Sequence, residues 1–276
     1  MNILRNDEFL INIIDDKDTI IFDCRFDMND VLYGINSYNE SHIKHAFYMD
    51  LNKDLAGEVK LHGGRHPLPD LDEFVAKLES FNVDYNKNII IYDDGELAMA
   101  GRLFILLKYL SFENVYVLEG GFNRFKEKYP DFITDEKSIS DKKSNFDYKL
   151  NKELIVDMEY VKSKIDINNT VIVDSRSEER YLGIEEPIDI KKGHIKSAVN
   201  VFWGDLIIDG KLKSKEELNK IYEAVKGKEE IIIHCGSGVT ASVNFIAMLS
   251  LNMDPRIYLG SFSDWISYDD NEVISV

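Results

Sequence analysis

Short runs of consecutive apolar residues, rich in Ile and Val and closed by Asp, Tyr or His, recur along this chain and alternate with longer stretches whose apolar positions follow a helical period. Thr19-Ile-Ile-Phe-Asp23, Asn88-Ile-Ile-Ile-Tyr92, Thr170-Val-Ile-Val-Asp174 and Glu230-Ile-Ile-Ile-His234 are of the first kind; Leu71 to Leu78, Leu97 to Leu110, Glu216 to Val225 and Val239 to Leu251 are of the second. Strands without polar alternation are buried on both faces, which parallel sheets covered by helices achieve. The pattern therefore predicts an α/β architecture, with parallel sheets flanked by helices on both faces.

The pattern occurs twice. Thr19 to Arg25 (TIIFDCR) returns as Thr170 to Arg176 (TVIVDSR), and each is followed by His-Ile-Lys, at His42 and at His194. Asn88 to Asp93 matches Glu230 to Cys235, and Val115 to Phe122 matches Arg256 to Phe262. Four matches in the same order indicate an internal duplication. Between the copies lies a polar stretch without sustained period, the composition of a surface connection. The expected organisation is a first domain at 1–130, a linker at 131–152 and a second domain at 153–276. A length of 276 residues fits two units at roughly 150 residues per domain.

Composition narrows the function. Hydrophobic residues at 44% and charged residues at 30% are ordinary for a soluble globular protein. The net charge of −17 repels phosphate backbones, so no nucleic-acid partner is expected. Two cysteines, Cys24 and Cys235, are too few for a disulfide framework, and no apolar run reaches the roughly 20 residues of a membrane helix. The acid-studded N-terminus does not read as a secretory signal, and a cytoplasmic location without membrane association is expected.

The chemistry concentrates after the run that ends at His234. Cys235-Gly236-Ser237-Gly238-Val239-Thr240 then leads into a helix. Two glycines let such a loop turn successive N–H groups inward, and the helix dipole behind them favours an anion and lowers the pKa of a thiol. Cys235 is the candidate nucleophile; the plain alternative is a small buried hydrophobe. The phosphatase pattern His-Cys-x5-Arg fails, because Ala241 stands where the arginine would clasp a phosphoryl group.

On these residues, with the two His-Ile-Lys signatures and the terminal Gly260-Ser-Phe-Ser-Asp-Trp265, nearly the whole chain resembles the tandem rhodanese sulfurtransferases, the family of thiosulfate and 3-mercaptopyruvate sulfurtransferases. The resemblance implies two rhodanese-like domains, of which the first is catalytically silent because Asp93 replaces the cysteine. It implies a sulfane sulfur carried as a Cys235 persulfide from 3-mercaptopyruvate or thiosulfate to a thiol, cyanide or a protein acceptor such as thioredoxin, without metal or organic cofactor. It further implies loop amides at Gly236, Gly238, Val239 and Thr240 that stabilise the sulfur, and a proton relay of Ser237, His66 and an acid. That acid falls on Asn52 by strict alignment from His42 and on Asp54 two residues later; Asp54 is taken as the candidate.

The loop has Gly236-Ser237 where thiosulfate enzymes carry Arg-Lys, which points to 3-mercaptopyruvate as donor. Arg180 matches one family ligand of the donor carboxylate, whereas Ile188 stands where a second arginine normally follows Glu-Pro. An ion pair of Arg180 with Glu185 or Glu186 is the plain alternative. His42 and His194 are expected to hydrogen-bond loops, since no ligand cluster surrounds them. Arg102 is expected to support the silent loop. The competing function is a non-catalytic or redox-sensing rhodanese-like interaction module.

Overall fold

The structure, a computed structural model, describes residues 3–275. The first half runs β1 (Leu4–Arg5), α1 (Asp7–Ile13), β2 (Thr19–Asp23), α2 (Tyr33–Glu40), β3 (His42–Ile43), β4 (Ala46–Tyr48), α3 (Leu71–Ser80), β5 (Asn88–Tyr92), α4 (Ala98–Tyr109), β6 (Val115–Leu118), α5 (Gly121–Lys128) and β7 (Ile133–Thr134). The second runs β8 (Ile155–Val156), α6 (Met158–Ser163), β9 (Thr170–Asp174), α7 (Glu178–Leu182), β10 (His194–Ile195), β11 (Ala198–Asn200), β12 (Ile207–Ile208), β13 (Lys211–Leu212), α8 (Lys215–Ile221), β14 (Glu230–His234), α9 (Ala241–Ser250), β15 (Arg256–Tyr258), α10 (Ser261–Trp265) and β16 (Val273–Ile274). Five-stranded sheets of order β1-β6-β5-β2-β4 and β8-β15-β14-β9-β11 form, parallel throughout. The expected α/β class, with helices covering both faces of two parallel sheets, is what the chain adopts. Among the described residues no helix is long and apolar enough to cross a membrane.

Strand alternation decides what each face packs against. Ile20, Phe22, Ile89 and Ile91 of the first sheet, with Val171, Val173, Ile231 and Ile233 of the second, point into one apolar cluster that is continuous between the two halves. Ile21, Ile90 and Tyr92 instead face an outer cluster of the first half, and Ile172 and Ile232 face a different outer cluster of the second. Cys24 and Cys235, each the residue after a strand, continue the inward parity and are buried in the shared cluster.

The two halves meet where α4 packs on α9. A Cβ on Gly101 would lie 2.6 Å from the Ser242 Cβ, so the absent side chain sets how closely these helices approach.

The repeated Asp-x-Arg has one structural purpose in both copies. Asp23 accepts the Arg25 backbone N–H and two side-chain nitrogens, while Arg25 donates to the Ser41 carbonyl at 2.7 Å and lies 3.8 Å from the Phe122 ring centroid. Asp174 and Arg176 repeat this with the Gly193 carbonyl at 2.7 Å and Phe262 at 3.8 Å. The arginine thus ties a central strand to the residue preceding each His-Ile-Lys. His42 stacks on Tyr38 and His194 on Tyr181, and each Nδ1 lies 2.7 Å from the carbonyl of the tyrosine it covers. These histidines hold loops.

Within 131–152, β7 pairs antiparallel with β3, just as β16 pairs with β10 at the chain's other end. Phe146 packs edge-on against Tyr85 and Phe112, and the Asn151 N–H donates to the Tyr109 carbonyl at 2.8 Å. The connecting segment is therefore fastened along the first domain.

Several helix limits differ from the periodicity. Leu97 takes a left-handed φ of 60° and precedes α4 instead of opening it. Val239 and Thr240 belong to the loop around Cys235, so α9 starts at Ala241. The helix expected over Glu216 to Val225 opens one residue earlier, at Lys215 behind a Ser214–Glu217 capping box, and gives way to turns after Ile221.

Gly101→Val drives two methyl groups into Ser242 and Ile246 and is expected to cost about 1–3 kcal/mol, measured as a lowered urea midpoint with an unchanged m-value.

Candidate active site

Cys235 leaves β14 on the inward parity, and the next residues curl around its sulfur. The Gly238 N–H donates to Sγ at 3.1 Å. Gly238 holds φ +76°, and a Cβ there would lie 2.1 Å from the Leu259 carbonyl oxygen, so the turn requires glycine. Burial pushes the thiol pKa up; the Thr240 hydroxyl and the N–H groups of Ala241, Ser237 and Gly238 outweigh it and bring Cys235 below the ordinary range. Val239 is buried and packs in the shared core instead of facing the cleft. Cys24 differs: burial, then the carboxylates of Asp23, Asp93 and Asp54, push its thiol well above the usual range.

The loop is held from the other domain. Arg102, on α4 and fully buried, donates to the carbonyls of Leu55, His66, Pro67 and Gly238 at 2.9–3.1 Å. The sequence suggests a role for Arg102 in its own domain's loop; the structure shows it bolting the His66 segment to the cysteine loop. Its charge also feels Cys235, while burial brings its pKa down to about 10. No local pattern announces this, because the receiving carbonyl of Gly238 is far away in sequence.

His66 reaches Ser237: Nδ1 and Oγ lie 2.9 Å apart across the domain boundary. The structure does not add Asp54 to this pair. Its Oδ2 accepts the Asp50 N–H at 2.8 Å and its Oδ1 pairs with Lys77 at 3.1 Å. Burial, then Arg102 and Arg65, lower the His66 pKa to about 4, the opposite of what a neighbouring carboxylate would do. The ring is therefore neutral at physiological pH.

Arg180 lies beside Gly236 but is engaged by carboxylates, with Nε 3.0 Å from Glu186 and Nη2 2.9 Å from Asp189. Arg65 pairs with the same Asp189 from across the boundary. Sequence reasoning missed Arg65 and Asp189; the only signal was that Arg65 adjoins His66.

In the first domain Asp93 occupies the place of Cys235. Its carboxylate accepts the N–H groups of Gly95, Leu97, Met99 and Ala100 at 2.8–3.2 Å, filling the cradle with its own side chain. Among the described residues no group of three or more His, Cys, Asp or Glu could hold a metal ion.

The sequence model of the rhodanese-like domain matches this chain twice, over residues 6–128 and 157–268. The chain belongs to the rhodanese family. Among its relatives are a probable 3-mercaptopyruvate sulfurtransferase of Pseudomonas aeruginosa, 33% identical over 92% of this chain and 91% of the relative, and the bovine thiosulfate sulfurtransferase, 32% identical over 83% of this chain and 78% of the relative. The crystal structure of SseA from Escherichia coli, from work on 3-mercaptopyruvate sulfotransferases, matches with a TM-score of 0.83 at 27% identity, covering 95% of this chain and 100% of that one. The tandem rhodanese arrangement accounts for both halves.

With no carboxylate on its ring, His66 is expected not to titrate between pH 5 and 8 in an NMR experiment on its side chain, because its folded pKa of about 4 lies below that window. Asp54→Asn is expected to leave that result unchanged and to cost about 1 kcal/mol, the worth of a partly exposed pair with Lys77; an inflection near neutral pH that Asp54→Asn removes would restore a triad.

Proposed function

We propose that this rhodanese is a sulfurtransferase that takes sulfur from 3-mercaptopyruvate, and less readily from thiosulfate, as a Cys235 persulfide. The observation that carries this reading is the ring of donors on the Cys235 sulfur, which stabilises a buried thiolate and would stabilise the terminal sulfur bound to it.

The thiolate attacks the donor sulfur. With 3-mercaptopyruvate the S–S bond forms as the carbon–sulfur bond breaks, and the electron pair leaves on carbon as the enolate of pyruvate. That enolate takes one proton, and the donor's S–H proton is released from the new persulfide, so no external proton is consumed. Ser237, hydrogen-bonded to a neutral His66, is the hydroxyl placed to pass the proton without a carboxylate behind it. With thiosulfate the outer sulfur transfers and sulfite leaves. A thiol, cyanide or a protein acceptor such as thioredoxin then attacks the terminal sulfur and returns Cys235 to its thiolate.

The loop offers thiosulfate no cationic side chain of its own, since Gly236 and Ser237 follow the cysteine. That favours a donor whose negative charge is a carboxylate farther from the sulfur. The first domain would serve as scaffold, because the Asp93 carboxylate both replaces the nucleophile and occupies its cradle. Phosphatase chemistry is disfavoured by Ala241, which leaves the loop without a phosphate-clasping arginine.

Incubation with 3-mercaptopyruvate followed by intact mass measurement is expected to show a gain of one sulfur atom on the wild type and none on Cys235→Ser. No gain on the wild type with either donor, with a thiol of ordinary reactivity, would instead favour the interaction-module reading.

A further inference from the structure

His234, the last residue of β14, precedes Cys235 and is completely buried. Its Nδ1 lies 3.1 Å from the carbonyl oxygen of Cys235. A carbonyl only accepts, so the neutral ring carries its proton on Nδ1 and leaves Nε2 as a bare acceptor. That acceptor faces another: Asp174 Oδ2 stands 3.8 Å away, and among the described residues Nε2 has no hydrogen-bond partner. The titratable groups facing the ring are Asp174, Arg176 and His194; burial outweighs the pull of Asp174 and holds the imidazole below its ordinary pKa, neutral at physiological pH.

The first domain shows the same position without a nucleophile after it. There Tyr92 precedes Asp93 and donates to Asp23 at 2.8 Å, while the Asp93 carbonyl accepts the Phe122 N–H at 2.8 Å. In the second domain the equivalent amide of Phe262 reaches the Cys235 carbonyl at 3.0 Å, and the imidazole joins it as a second donor. Relative to Tyr92, His234 forgoes the bond to the strand aspartate and leaves a buried nitrogen unpaired, which costs stability. What it gains is a bond to the backbone of the nucleophile.

The loop hangs from that peptide. The Cys235 N–H donates to Ser261 Oγ at 3.2 Å and the Ser263 N–H to the Gly236 carbonyl at 2.9 Å, so α10 holds the backbone on either side of the Cys235 carbonyl. His234 supplies a donor to the oxygen between them. Two donors on one oxygen fix the Cys235–Gly236 peptide plane, from which the N–H groups of Ser237 and Gly238 turn back to the sulfur.

We propose that His234 is a positioning residue for sulfur transfer, whose Nδ1–H fixes the Cys235 carbonyl and so holds the following amides against the sulfur. Being fully buried, the ring acts through the loop and not on donor or acceptor. Its consequence for catalysis rests on the sulfur-transfer reading, whereas its effect on the thiol does not.

His234→Asn, whose amide nitrogen takes the place of Nδ1, and His234→Tyr, which restores the residue of the first domain, are compared with the wild type by the rate at which iodoacetamide alkylates Cys235 across pH, followed by peptide mass. Loss of one hydrogen bond in His234→Tyr is expected to slow alkylation at neutral pH about three- to tenfold and to move its midpoint to higher pH, with Tm equal to or above that of the wild type. His234→Asn is expected to stay within about threefold of the wild-type rate, and kcat/KM for 3-mercaptopyruvate to fall in the same order. Nitrogen NMR of the wild-type ring at pH 7 is expected to show Nδ1 protonated and Nε2 bare. If alkylation depends on His234 in this way while neither donor loads sulfur on the wild type, the assignment stands and the sulfur-transfer reading fails. An unchanged alkylation profile in His234→Tyr, a His234→Asn variant no faster than His234→Tyr, or a proton on Nε2 in place of Nδ1 overturns the assignment.

Discussion

A thiolate formed on Cys235, which is 1% exposed, would be stripped of water, and the groups around the sulfur are arranged to compensate for that loss. Strand parity turns the sulfur inward, toward the other domain. Gly238 adopts a left-handed turn that aims its N–H at Sγ, and α9 begins only after Thr240 has turned its hydroxyl the same way. Behind the loop, Arg102 fixes the Gly238 carbonyl and brings a buried positive charge close to the sulfur. A loop of this kind needs a rigid wall on its far side, and that wall is the first domain.

The duplication explains why such a wall exists. Both copies retain the Asp-x-Arg clamp and the histidine stacked on tyrosine, because those features hold strand to loop in any copy. They diverge where the chemistry is. Asp93 fills one cradle and Cys235 the other. Arg102 corresponds to Asn244, which bonds within its own domain to Ser175 and the Val201 carbonyl, whereas Arg102 reaches across. Tyr92 donates to Asp23 at 2.8 Å; its counterpart His234 stops 3.8 Å short of Asp174 with Nε2 unpaired, and burial keeps it below its ordinary pKa. The first copy forms the wall against which the second copy's loop is held.

The α/β class, the duplication and the cysteine loop were legible in the sequence because each rests on local signals: apolar runs, fixed spacings and glycines next to a cysteine. The pairing of Ser237 with His66 required the family resemblance, since the residues are far apart in the chain. The parts that were not legible depend on contacts between domains. Asp54 lies near His66 in sequence, yet Asp50 and Lys77 draw its carboxylate away. Arg102 looked like an accessory of the loop preceding it, and its role follows from the close α4–α9 approach permitted by Gly101. Arg180 showed that two readings can hold together: it pairs with Glu186, as a surface arginine would, and it also borders the catalytic loop.

The loop and its wall are expected to favour the thiolate of Cys235. Ultraviolet titration of thiolate absorbance tests it most directly, because Cys24 is pushed far upward and stays silent. One thiolate is expected to form below the range of an ordinary cysteine, to be lost in Cys235→Ser and to move to higher pH in Thr240→Val. A first thiolate that appears only at or above the ordinary range, or one that persists in Cys235→Ser, would contradict it.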